Sequence, residues 1–491
     1  MPGLDVVLAG FGDALTPMVL LFALSGVVLG QLVGAVPGIG PVMAMAIAIP
    51  FTFGMDPLAA IAFLVGVNKG GLVGGAVPAV LMNTPGTPDA AATALDGWPL
   101  ARKGKPLKAT KMALFSSVTG DTISDIVLIT VSAPLAVLAL KMGPVEVLGL
   151  MIFAFCVLAG LVGDAPLKGL AAAAIGVLLA CVGSDPEHYT PRLLFGEFRL
   201  WDGFPLVAVA IGSLALAEIV RRLSEGGAGA LPALTAMGEG EDARISFAEW
   251  WGCRGALARG AAIGTALGAL PGIGSTAAAF MSYAATRAAS KDPESFGKGN
   301  LQGIAAAESA NSAVVGANLI PLLTLGIPGS VGAALIISAF MIHGLQPGPL
   351  LFQNQGRLVY GLFGAMVLAN VMNLLVGQLG LRLWVRVVRA PQGVIFAAAV
   401  LLCIVGVGMA TGGLFGVAVM LGFAALAWVM AAFGYSVVIM VIAFFLAPRA
   451  EISLSQALVL TNGEPAALLS HPVAIFLVLV GAITLWRALR R

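Results

Sequence analysis

Charge is what this sequence has least of. Lys, Arg, Asp and Glu make up 10% of its 491 residues, against 59% hydrophobic residues. A soluble domain carries about a quarter charged residues. The fold class that follows is an all-α polytopic membrane protein. With a net charge of +2 there is no basic surplus for nucleic acid. Histidine is nearly absent: there are three, none in HExxH and none paired with a candidate nucleophilic serine, which argues against an intramembrane hydrolase. No GxxxxGK[ST] loop occurs, which disfavours ATP-driven transport. The four cysteines, Cys156, Cys181, Cys253 and Cys403, lack CxxC or Cys/His spacing and read as small core residues rather than a disulfide frame or metal site. The start, MPGLDVVLAGFGDALTP, has no basic n-region, so a cleaved signal peptide is not expected.

What is present is a unit used twice. Ala305 to Ser330 reads AAAESANSAVVGANLIPLLTLGIPGS, an apolar stretch carrying Glu308, Asn311, Asn318 and Thr324 and broken at Pro328-Gly329. At one constant offset, Asn68, Pro78, Pro85 and Gly86 match Asn311, Pro321, Pro328 and Gly329. A PGIG break also recurs, at Pro37 to Gly40 and at Pro271 to Gly274, on a slightly shorter offset. The extra residues of the second copy are expected in its polar loop, Arg287 to Asn300.

Loop charges orient the copies. The first begins beside the acidic N-terminus and ends in a loop holding Arg102, Lys103, Lys105, Lys108 and Lys111; the second begins after a basic linker and ends in a loop with Arg357 alone. By the positive-inside rule the two copies should be inverted, with the N-terminus periplasmic and the C-terminus, at Arg487, Arg490 and Arg491, cytoplasmic. The expected organisation is two inverted repeats with interrupted or re-entrant helices, about 11 to 15 hydrophobic segments in all. The first repeat covers residues 1–223 (core 15–99, flanking spans 112–222). A cytoplasmic linker follows at 224–254. The second repeat covers 255–447 (core 255–352, flanking spans 358–447), and 448–491 supplies a final span.

Helix breaks at membrane depth expose backbone N–H groups at one end and carbonyls at the other, suited to a carboxylate and to a cation respectively. A single Pro-Gly pair usually just kinks a span; four in matching positions point to a site. The candidate substrate-binding residues are Gly38, Ile39, Gly40, Asn68, Lys69, Asn83, Thr84, Pro85, Gly86, Thr87, Gly272, Gly274, Ser275, Asn311, Pro328, Gly329 and Ser330. Candidates for cation coupling are Asn68, Glu308, Asn311 and Thr324, with Na⁺ at the Pro-Gly breaks. Each asparagine can pin unwound backbone or contact a carboxylate. Glu308 can ligate a cation, carry a proton or cap its helix. Lys69 can meet the substrate, stand in for a cation, pair with Glu308 or snorkel to the surface. Asp121 and Asp125, four apart on one helix face, can line a cation path or contact another helix or subunit.

ESANSAVVGANLIPLLTLGIPGS (Glu308 to Ser330), GLQPGPLLF (Gly344 to Phe352), PGIG (Pro37 to Gly40) and NTPG with ALDGWPLARKG (Asn83 to Gly104) resemble the large membrane subunit, TctA, of tripartite tricarboxylate transporters. The resemblance implies a permease of the bacterial inner membrane, not an enzyme. It also implies a small four-helix membrane subunit (TctB-like), a periplasmic solute-binding protein (TctC-like), and cation-coupled uptake of carboxylates such as citrate, with Na⁺ as coupling ion, H⁺ as the alternative and no other cofactor. Two departures fall inside the candidate site: the family usually has an aromatic residue where this chain has Lys69, and an asparagine where Ser312 stands.

Overall fold

The computed structural model describes residues 3–36, 40–160, 165–224, 244–270, 274–387, 392–464 and 470–490. The helices, in order, are α1 (Leu4–Ala14), α2 (Pro17–Gly34), α3 (Pro41–Ala48), α4 (Pro57–Met82), α5 (Ala90–Arg102), α6 (Pro106–Ala139), α7 (Pro144–Gly160), α8 (Pro166–Ala180), α9 (Leu206–Ala210), α10 (Ala217–Ser224), α11 (Phe247–Gly252) and α12 (Arg254–Gly268). They continue as α13 (Gly274–Ala288), α14 (Leu301–Leu325), α15 (Val331–Ile342), α16 (Pro349–Asn354), α17 (Gly356–Val387), α18 (Gln392–Ala410), α19 (Leu414–Ala432), α20 (Val437–Leu460) and α21 (Pro472–Leu489). Among the described residues eight helices are long and apolar enough to cross a membrane, as the sparse charge requires. The chain divides into two units, Met1–Ala136 with Gly226–Ala399, and Val137–Glu225 with Val400–Arg491.

The first unit is built on glycines that let backbones touch. A Cβ placed on Gly26, Gly30 or Gly34 of α2 would lie 2.2, 2.3 or 2.2 Å from the carbonyl oxygens of Phe63, Val67 or Gly71 in α4. Both series ascend together, so α2 and α4 are parallel neighbours. Only Met55 and Asp56 separate the Pro41–Gly54 segment from α4, a reach of about 11 Å at most. That segment starts beside Gly71 and must therefore run back along α4. Helix α3 thus runs opposite to α2. The second copy repeats the register: Gly260, Gly264 and Gly268 of α12 sit on Ala306, Ala310 and Val314 of α14. Gly30→Ala should strain this seam by about 1–3 kcal/mol. A lowered thermal midpoint of the detergent-purified protein would register it, whereas Gly12→Ala, whose Cβ would meet nothing within 4 Å, should leave the midpoint unchanged.

The second unit uses the same device. Gly176 of α8 lies on Met440 of α20, Gly212 on Met420 of α19, and Gly149 of α7 on Ala474 of α21. Gly212 belongs to a π-helical turn, Ile211–Leu216, that joins α9 to α10. A two-stranded hairpin pairs Gly183–Ser184 with Pro191–Arg192, and Arg192 is bound by Glu451 at 2.5 Å. Helix α20 runs on through Pro448 to Leu460, and Glu451 within it is paired inside the unit.

Most of the expected linker, residues 225–243, lies outside the described residues. Its described end forms α11, whose N-terminus is closed by a reciprocal Ser246–Glu249 capping box. Glu249 also pairs with Lys108, whose ammonium holds the Glu249 carboxyl below its usual range.

Candidate functional site

Helix α4 ends where Asn83 adopts a left-handed conformation at φ 52°, which stops the helix. The chain then doubles back. The Gly86 N–H donates to the Gly75 carbonyl at 3.3 Å, and a Cβ on Gly86 would lie 2.7 Å from the Gly34 oxygen. Thr87 settles between Gly75 and Gly40, and its Oγ1 accepts from Ala90 N at 3.3 Å. The two breaks of the first copy therefore meet each other. From there α5 rises parallel to α4, with Ala90 and Ala94 against Ala79 and Gly97 against Val80.

In the second copy Gly326, matching Asn83, stops α14 at φ 71°. Gly329 comes back to Gly268, matching the approach of Gly86 to Gly34. Where the first copy has Gly75 the second has Asn318, whose Oδ1 lies 2.7 Å from the Cβ position of Gly329. Ser330 then caps α15, accepting from Ala333 N at 3.2 Å.

The copies interlock through α5 and α14, which run antiparallel. Asp96 of α5 accepts from Gly299 N and Asn300 N, each at 2.8 Å, and from the Tyr283 hydroxyl at 2.9 Å. Farther along, Ala92, Ala279 and Ala307 pack together. One turn beyond that cluster lie Asp89, Ser275 and Asn311. The Asp89 carboxylate interacts with Thr87, Ser275 and Asn311, yet its Oδ2 and both amide atoms of Asn311 are buried without a well-formed hydrogen bond. A carboxylate, two hydroxyls and an amide come together there, oxygen donors of the kind that hard cations take.

The equivalent place in the other copy lacks two of these groups, glycine standing where Asp89 does and Pro41 where Ser275 does. There Asn68, matching Asn311, has its Nδ2 3.2 Å from where a Cβ on Gly332 would sit. Gly332 is the residue that matches Asp89. The second place therefore has an amide and the N-terminus of the twelve-residue α15, and no carboxylate from that position.

Lys69 is fully buried, which rules out snorkelling, and it does not pair with Glu308. Its Nζ lies 2.6 Å from Asp125 Oδ2, 2.7 Å from Asn370 Oδ1 and 3.5 Å from Asp121 Oδ1. Asp121 and Asp125 thus contact a neighbouring helix. Glu308 is no cap either: Asn300 caps α14 through Gln302 N at 2.8 Å. Instead Glu308 accepts from Thr93 at 2.5 Å and from Ser117 at 2.7 Å. Thr324 donates to Ile320 O of its own helix at 2.6 Å, and Thr84 to Met82 O at 3.2 Å. Asn83 is exposed, Thr84 and Pro85 are half-buried, Pro328 is buried, and Gly274 opens α13 at φ 69°. Gly38, Ile39 and Gly272 lie outside the described residues.

Sequence reasoning misses Asp89, Thr93, Ser117, Gly332 and Asn370. For Asp89 a signal exists, since it directly follows Thr84-Pro85-Gly86-Thr87-Pro88 and aligns with Gly332. For Asn370 there is none, because its partner Lys69 is remote in sequence.

Comparison with known proteins matches residues 20–442 to the family described as "Tripartite tricarboxylate transporter TctA family". An Agrobacterium vitis protein described as "Uncharacterized 52.8 kDa protein in TAR-I ttuC' 3'region" is 34% identical over 472 residues, covering 96% of this chain and 93% of its own length. A second from Agrobacterium vitis, "Uncharacterized protein in TAR-II ttuC' 3'region", is 32% identical over 226 residues, 46% of this chain and 93% of that protein. No solved structure matches.

Proposed function

The chain belongs to the tripartite tricarboxylate transporter TctA family, and from that premise we propose that it is a permease subunit taking up small di- or tricarboxylates with Na⁺ across the bacterial inner membrane. The partners in this reading are a small four-helix membrane subunit and a periplasmic binding protein that delivers the acid. The observation that carries it is the difference between two matched places: Asp89, Thr87, Ser275 and Asn311 at one, and Gly332 with Asn68 at the other. The first offers a carboxylate and neutral oxygens to a cation. The second offers amide donors and the positive end of α15 to a carboxylate.

An inverted relation of the copies belongs to the same proposal. It is supported by α5, which runs parallel to α4 of its own copy and antiparallel to α14 of the other. Opposed repeats that share a pair of broken helices suit a site reached from either side of a membrane.

Uptake of radiolabelled citrate and related acids into vesicles containing the permease and its two partners, with and without a Na⁺ gradient, tests the reading. Saturable uptake that collapses without Na⁺ is the expected result. Gly332→Ala, which crowds Asn68, should raise KM about tenfold, the equivalent of about 1.4 kcal/mol of lost binding, and leave the Na⁺ dependence alone. Uptake linear in substrate concentration would refute a carrier and favour a channel.

A further inference from the structure

Away from the paired breaks, α4, α6 and α17 enclose three ionisable groups that cation coupling at Asp89 does not use. Lys69, Asp121 and Asp125 are all fully buried. Their charges do not balance, because one ammonium faces two carboxylates. Asp125 takes most of the compensation: its Oδ2 receives Lys69 Nζ at 2.6 Å and Asn370 Nδ2 at 2.8 Å. Asp121 receives only the distant approach of Nζ at 3.5 Å, and neither of its oxygens has a hydrogen bond.

Among the described residues the surroundings supply no further cation. From α4 the facing charge is Lys69, and from α6 itself it is Asp125. Helix α17 contributes the amides of Asn370 and Asn373, the latter donating to Lys69 O at 3.3 Å; its described charged side chain, Arg357, is bound to Asp13. Helix α14 contributes Gly316, against Asp125 and Ser124, while its acid Glu308 is turned to Ser117 and Thr93. An ionised carboxylate left without partners in such a place costs several kcal/mol.

We propose that Asp121 is a proton-binding site, the ligand being a single exchangeable H⁺ held on its carboxyl oxygen and completing the neutrality of the Lys69–Asp121–Asp125 group. Protonation forms one O–H bond at Asp121 at the expense of a proton from water; release reverses it and leaves the group with one negative charge. Asp121 thereby couples a proton to the position of α4, the helix that carries Asn68 and leads into the Thr84–Thr87 break. The transport consequence rests on the proposed carboxylate uptake, but the site itself does not.

Two measurements separate these. Infrared difference spectra of the full-length detergent-purified protein, wild type against Asp121→Asn, should show a protonated carboxylic acid band present only in wild type. Asp125→Asn should lose the same band, because Asp121 then becomes the sole carboxylate facing Lys69 and ionises. This second variant also answers the question if Asp121→Asn does not fold. A spectrum with no acid band attributable to Asp121 overturns the proposal.

In vesicles with both partners, one proton carried per acid makes accumulation rise about tenfold per unit of inward pH gradient. Asp121→Asn should lose that factor and keep uptake driven by Na⁺. A retained pH response in Asp121→Asn overturns the coupling of this proton to uptake. Absence of any carboxylate uptake by the wild type refutes the transport reading, and the infrared result still decides the proton site.

Discussion

Asp89→Asn is expected to weaken the apparent affinity of uptake for Na⁺ by about 10- to 100-fold, the equivalent of about 1.5–3 kcal/mol for a lost charged contact. Asparagine keeps the shape of the side chain and one neutral oxygen, so the packing of Ala92, Ala279 and Ala307 nearby should survive. The measurement is initial uptake rate against Na⁺ concentration at saturating acid. An unchanged Na⁺ curve would remove Asp89 from the cation site. Thr87→Val should act in the same direction but less strongly, because it removes a neutral ligand while Asp89 remains.

Lys69→Met should have the largest effect on stability. Removing one partner of a buried ion pair costs about 3–5 kcal/mol, since Asp121 and Asp125 would both remain without an ammonium. The folded yield in detergent and the thermal midpoint should fall sharply. Combining Lys69→Met with Asp125→Asn should recover most of the loss, because Asp121 can then stay neutral with its proton. If the double variant were as unstable as the single one, Lys69 would matter to packing through its aliphatic stem rather than through its charge. Methionine preserves much of that stem, which makes the comparison informative.

These variants also separate two roles that adjacent residues play. Asn68 and Lys69 are neighbours on α4, yet one reaches toward Gly332 and the other toward α6 and α17. A helix advances about 100° per residue, so neighbouring side chains diverge. Lys69 therefore points away from Asn68, with its ammonium engaged by protein oxygens.

Much of the architecture is legible in the sequence alone. Scarce charge requires apolar helices, since in lipid the backbone must satisfy itself internally, and α2, α4, α6, α17, α19 and α21 fall close to where hydropathy puts them. The recurrence of Asn68, Pro78, Pro85 and Gly86 as Asn311, Pro321, Pro328 and Gly329 marks both copies and their breaks, because a repeated unit repeats its special backbone residues. The tertiary structure alone decides which breaks meet. Gly30 on Val67 and Gly264 on Ala310 fix the parallel packing of α2 on α4 and of α12 on α14. The antiparallel run of α5 along α14 carries Asp89 to Asn311 and leaves Gly332 to Asn68. It is likewise the packing of α4 against α6 and α17 that assigns Lys69 to Asp125 rather than to Glu308. The physical reason is common to all of these: a buried charge or open amide is settled by whatever partner arrives in three dimensions, and spacing along the chain carries no record of it.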